Sequence, residues 1–113
     1  MKKIIVLLVL SVVVPGWSMQ AFAESFSERH QQVVDHFVSK AEPTVKDAIW
    51  TKPDIFKVAV FDNGRPRDGY ADYVCSVLDD FGFKDQKIWV QVIDMGKLLQ
   101  KNKWVKLGEA HCR

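Results

Sequence analysis

From Phe26 onward the chain switches between two hydrophobic rhythms. Phe26, His30, Val33, Val34, Phe37, Val38 and Ala41 recur every three or four positions, which predicts a helix over Phe26–Ala41 ended by Pro43. Ser25-x-x-Glu28 ahead of it has the form of a capping box. Val45, Ala48 and Ile49 keep the helical spacing, so Thr44–Trp50 reads as two further turns. Thr51-Lys52-Pro53-Asp54 then reads as a turn. The rhythm changes to alternation over Ile55–Phe61, a strand with Phe56, Val58 and Val60 on one face and Lys57 and Ala59 on the other. The longest helical stripe follows: Tyr70, Tyr73, Val74, Val77, Leu78 and Phe81, with Asp68 as predicted N-cap and Gly82 just past the end. Lys87–Ile93 alternates again, with Ile88, Val90 and Val92 inward. Asp94–Gln100 predicts a short helix and Lys103–Leu107 a third, short strand.

The predicted order is helix, two extra turns, strand, helix, strand, short helix, strand. A strand–helix–strand unit implies a crossover between parallel neighbours, with the third strand returning antiparallel. The expected fold is two-layer α+β, with helices packed on a small three-stranded mixed sheet. In that sheet Trp89, Gln91, Ile93, Trp104 and Lys106 face away from the helices.

The segment before Phe26 has a different character. Lys2 and Lys3 precede an uncharged, largely apolar run from Ile4 to Val14, broken by Pro15-Gly16. Ala21-Phe22-Ala23 supplies small residues in the arrangement a signal peptidase needs. The expectation is a cleaved signal peptide over residues 1–23 and one exported, periplasmic domain over 24–113, with no stable membrane insertion after cleavage. No Cys follows the apolar run, which argues against lipoprotein processing. An oxidising compartment favours pairing of Cys75 with Cys112, the two cysteines of the chain.

Charge narrows the function classes. The formal net charge is +2, but cleavage after Ala23 removes Lys2 and Lys3 and leaves equal numbers of acidic and basic residues. That balance argues against nucleic-acid binding, which needs an excess of Lys and Arg against phosphates. A 48% hydrophobic fraction argues against disorder. The charges are unevenly spread: Glu24–Phe83 carries a net −4 and Lys84–Arg113 a net +4. No cofactor motif, H-E-x-x-H, G-x-S-x-G or EF-hand spacing is present, so neither a cofactor nor a metal is expected, and no enzyme.

Three functional expectations follow. The first is an exported interaction module that uses Trp89, Trp104, Lys103 and Lys106 against an envelope protein, in one version an inhibitor or immunity-type protein. The second is a small-anion site in the Asp62–Gly69 loop, where Arg65 and Arg67 precede a helix N-terminus. The third is a minimal hydrolase, for which no residue set stands out. His30 is expected to pack on its helix's apolar side and His36 to be exposed.

Overall fold

The computed structural model describes residues 26–113. The expected signal peptide over residues 1–23 and Ser25 of the expected capping box lie outside the described residues. Helix α1 spans Glu28–Phe37, strand β1 Asp47–Lys52 and strand β2 Ile55–Val60. Helix α2 spans Asp68–Leu78 and runs into a wider turn over Asp79–Phe83. Strand β3 (Ile88–Asp94), helix α3 (Met95–Lys101) and strand β4 (Lys106–Cys112) complete the chain. The architecture is α+β with three helices and a mixed sheet, and the sheet has four strands rather than the expected three. Its order is β1-β2-β3-β4, with β2 and β3 parallel and both outer pairs antiparallel.

The additional strand replaces the two helical turns expected at Thr44–Trp50. The turn at Pro53-Asp54 is the tip of a hairpin that pairs Asp47 with Ala59 and Trp50 with Phe56. Once paired, Ala48 and Trp50 fall on the face of Val58 and Phe56, and Ile49 falls on the other. Burial of the Trp50 ring therefore decides for a strand, where the i, i+3, i+4 spacing of Val45, Ala48 and Ile49 had suggested a helix. Helix α1 is also shorter than expected. Its N-cap is Ser27, whose hydroxyl accepts from the His30 N–H at 3.2 Å, and it stops at Phe37.

The core lies between the sheet and helices α1 and α2. Phe56, Val58, Val60, Ile88, Val90 and Val92 supply the sheet side, and Val33, Phe37, Ala71, Val74 and Leu78 the helix side. Trp50 stacks on Phe83 at 5.3 Å and tilts against Phe56 at 4.7 Å. Each large side chain removed from water contributes about 1.5–3 kcal/mol. His30 closes one end of this aromatic group. Its Nε2 donates to the Pro53 carbonyl at 2.9 Å, and its Nδ1 meets Ser27 Oγ at 2.7 Å.

Gly82 has φ 96°, the left-handed conformation expected after the middle helix. Arg29 lies across it and donates to its carbonyl at 3.0 Å.

Strand β4 starts later and runs further than the expected Lys103–Leu107, because Leu107 is accommodated by a register shift opposite Val92 and Ile93. Beyond it, Gly108 lets the strand approach the start of α2. A Cβ at Gly108 would lie 2.3 Å from the Arg67 carbonyl carbon. The Arg67 N–H donates to the Leu107 carbonyl at 3.1 Å, and the Glu109 N–H donates to the Asp68 carboxylate at 2.9 Å. Asp68 is thus not the N-cap of α2. That place belongs to Arg67, whose side chain makes no capping bond. Cys75 and Cys112 are joined in a disulfide that ties α2 to the end of β4.

Candidate functional site

Pairing fixes which residues share the sheet face turned away from α1 and α2. Trp89 pairs with Ile55 and His111, Gln91 with Lys57 and Glu109, and Ile93 with Ala59 and Lys106. Because side chains alternate, all of these occupy the outer face, together with Ile49 of β1. One end of that face is covered. Leu98 of α3 and Trp104 of the following loop close over Ala59 and Ile93, which are buried. The rest is open: Ile49 is 43% exposed and Trp89 41% exposed.

The two tryptophans singled out in the sequence therefore lie toward opposite ends of one face. Trp104 is in the loop before β4, not on a strand, and is 50% exposed. The Lys57 ammonium lies 5.1 Å from its ring centroid, within cation–π range. The Trp89 ring lies tilted at 56° against that of its cross-strand partner His111. Lys103 is an exposed loop residue, and Lys106 sits at the start of β4 in a salt bridge with Glu109. Lys106 first, and then His111 at 3.3 Å, hold the Glu109 carboxyl below its ordinary value.

At the Trp89 end the sheet opens into a groove of about 380 Å³ lined by Asp85, Lys87, Ile88, Trp89, His111, Cys112 and Arg113. Of these, the sequence marked Trp89 as a binding residue and Cys112 as half of the disulfide. The others meet there because β3 and β4 are antiparallel, which brings the residues before Ile88 next to those around Cys112.

The Asp62–Gly69 loop is organised by its own side chains. Asp62 accepts from the Gly64 N–H at 2.9 Å and Asn63 from the Arg65 N–H at 3.0 Å. The Arg67 guanidinium donates to the Phe61 carbonyl at 3.1 Å. Arg67 and Asp68 thus hold the loop and β4 together, while Arg65 is exposed. The structure does not bring Arg65 or Arg67 to the Trp89–Trp104 face.

A further polar group escaped the sequence reading. Glu42, in the turn after α1, is only 6% exposed. Its carboxylate accepts from the Tyr73 hydroxyl at 2.5 Å and the Tyr70 hydroxyl at 2.9 Å, and meets His36 Nε2 at 3.2 Å. His36 is therefore part of a polar cluster rather than free in solvent as expected. Burial raises the Glu42 pKa, but the hydrogen bonds from Tyr73, Tyr70 and His36 together outweigh it and hold the carboxyl below its ordinary value. Burial and then the bond to Glu42 push the Tyr70 hydroxyl far above its usual range. The bond to Glu42 and then burial raise that of Tyr73. A carboxylate with its acceptor sites filled this way is a poor general base. The cluster clasps the turn after α1 to helix α2. Separations of 28 and 31 residues from its tyrosines gave Glu42 no local signal.

Among the described residues, no three or more His, Cys, Asp or Glu side chains form a group able to hold a metal ion. No helix there is long and apolar enough to cross a membrane. No known family, characterised protein or solved structure matches the chain. The functional reading therefore rests on the geometry of its own surfaces.

Proposed function

We propose that this protein is a small exported binding module whose outer sheet face docks on an acidic protein of the cell envelope. One observation carries the reading. The inner face of the sheet is buried throughout, whereas the outer face keeps Ile49, Trp89 and Trp104 near half-exposed. A small domain rarely leaves that much apolar surface bare without a use for it, and Trp is enriched at interface hot spots. Lys57 and Lys103 border Trp104 on or beside this face, next to Lys106 in its salt bridge with Glu109, so an acidic partner is the complementary one. The export part of the reading rests on Lys2-Lys3, the apolar run and Ala21-Phe22-Ala23, and the Cys75–Cys112 disulfide suits an oxidising compartment. An inhibitor or immunity-type protein that plugs an envelope enzyme is the version that best suits this size and this rigid, disulfide-tied sheet.

The test is capture. Oxidised protein is immobilised and exposed to envelope extract of its own source, and bound proteins are identified by mass spectrometry. The expected result is an acidic partner that is lost with Trp104→Ala and weakened by added salt. A partner retained by both Trp104→Ala and Trp89→Ala would move the docking surface elsewhere. The Arg65→Ala variant is the control for the Asp62–Gly69 loop: loss of an anionic ligand there, with protein capture intact, would favour the small-anion reading instead.

A further inference from the structure

We infer that the groove at the Trp89 end of the sheet is a small-molecule site for a carboxylate carried on a flat-faced ring. The inference does not rest on the docking reading, although Trp89 borders both surfaces. At about 380 Å³ the groove falls at the lower end of the size range of small-molecule pockets, which suits one or two rings. Trp89 and His111 meet across the strand pair and line it, giving an aromatic wall on which a flat ring can stack. Its lining side chains include two cations, Lys87 and Arg113, against one carboxylate, Asp85. Either cation can pair with an acid, a contact that its neutral counterpart cannot make. Cys112 also lines the groove, and its bond to Cys75 fixes this wall to α2 before any ligand arrives. A preformed wall lowers the ordering cost of binding.

Two sources supply such a ring: an aromatic acid, whose whole ring is flat, and a uronic-acid sugar, which has one apolar face. The experiment separates them. Isotope-labelled oxidised protein is titrated with indole-3-acetate, with indole-3-acetamide, and with a galacturonic-acid trisaccharide, while the backbone signals of residues 85–89 and 111–113 and the Trp89 indole N–H are followed by NMR. An aromatic ligand class is expected to give saturable shifts there with indole-3-acetate, roughly tenfold weaker with the uncharged amide, because the losing contact is one charge interaction. A sugar class gives the same shifts with the trisaccharide. In either case Lys87→Gln and Trp89→Ala weaken binding, whereas Trp104→Ala, which is expected to abolish protein capture, leaves it unchanged. The inference is overturned if neither acid moves these signals up to about 10 mM, the weak limit of specific small-ligand binding. Equal response to acid and amide would also overturn it, and so would shifts confined to residues outside the groove.

Discussion

Replacing Glu42 by Gln removes the charge and one acceptor oxygen from a side chain that three groups reach. The three are Tyr73, Tyr70 and His36. A hydrogen bond to a charged group contributes about 1.5–3 kcal/mol and a neutral one about 0.5–1.5 kcal/mol. Glutamine keeps the shape but loses the charge and turns one oxygen into an NH2 donor. At least one of the three partners therefore loses its acceptor and the others weaken, each change on the order of 1 kcal/mol. Tyr73 and His36 are partly exposed, and water recovers some of that loss, which brings the total to about 2 kcal/mol. For a domain of this size the melting temperature should fall by about 8–16 °C at neutral pH. The pH dependence supplies a second, independent signature. The folded-state pKa of Glu42 is lowered from an ordinary 4.5, so its stabilisation is fully present above pH 4.5 and is lost as the pH falls through the folded-state value. The gap between parent and variant should therefore close in acid. Thermal unfolding followed by circular dichroism at pH 7 and at successively lower pH measures both. A variant that melts within about 2 °C of the parent at pH 7, less than 1 kcal/mol can produce, would refute the clasp. A gap that persists undiminished in strong acid would show that the loss came from packing and not from the charge.

Three other outcomes follow from the same structure. Both tyrosines of the chain, Tyr70 and Tyr73, have raised pKa values, so the stability they confer is present below pH 10 and is lost as the pH rises through their folded values. Tyrosinate absorbance should accordingly appear only above pH 10 and together with unfolding, and ordinary ionisation in the folded state would contradict this. Gly108→Ala should cost about 2–3 kcal/mol in urea unfolding because the added carbon meets Arg67 backbone. Gly69→Ala, where nothing lies within 4 Å of the new Cβ, should be neutral or stabilise by up to about 1 kcal/mol, and similar losses at both glycines would discredit the close approach of β4 to α2. Replacing Cys75 and Cys112 together by Ser opens a loop of 37 residues and should lower stability by about 4 kcal/mol, with the doubly substituted protein unaffected by reductant.

What could be read from the sequence was whatever lay within one element. The alternation in Ile55–Val60 and Ile88–Val92 gave β2 and β3 with their core-facing side chains. The stripe over Tyr70–Phe81 gave α2 and the buried Val74, Val77 and Leu78, but it ran past the helix end at Leu78, included exposed Tyr73 and missed buried Ala71. The pairing of Cys75 with Cys112 followed from there being two cysteines. Strand β1 was missed because its buried pair, Ala48 and Trp50, is too short a run to outvote Val45 and Ile49 at helical spacing. The far half of β4 was missed because Gly108, Glu109, Ala110 and His111 have little strand character of their own. That segment is a strand because Asp68 and β3 bind its backbone. At the candidate sites, Trp89, Gln91, Ile93 and Lys106 were placed on the outer face by alternation alone. The groove residues Asp85, Lys87 and Arg113, and the meeting of Glu42 with its tyrosines, exist only through pairing between distant segments.

The seam between β4 and the start of α2 also determines how the sheet is protected from strand addition. A four-stranded sheet has two rims where unpaired backbone can recruit another chain. On the β4 rim, Leu107 and Glu109 are already engaged by Arg67 and Asp68, and Cys112 is locked to α2. The β1 rim is short, carries Asp47 and Lys52 at its two ends, and has the Ala48 N–H held by the Asp47 carboxylate at 2.8 Å. The two rims are therefore guarded by different chemistry, one of them redox-sensitive. Reduction would remove only the covalent tie of the β4 rim, leaving the hydrogen bonds of Leu107 and Glu109 to Arg67 and Asp68 in place.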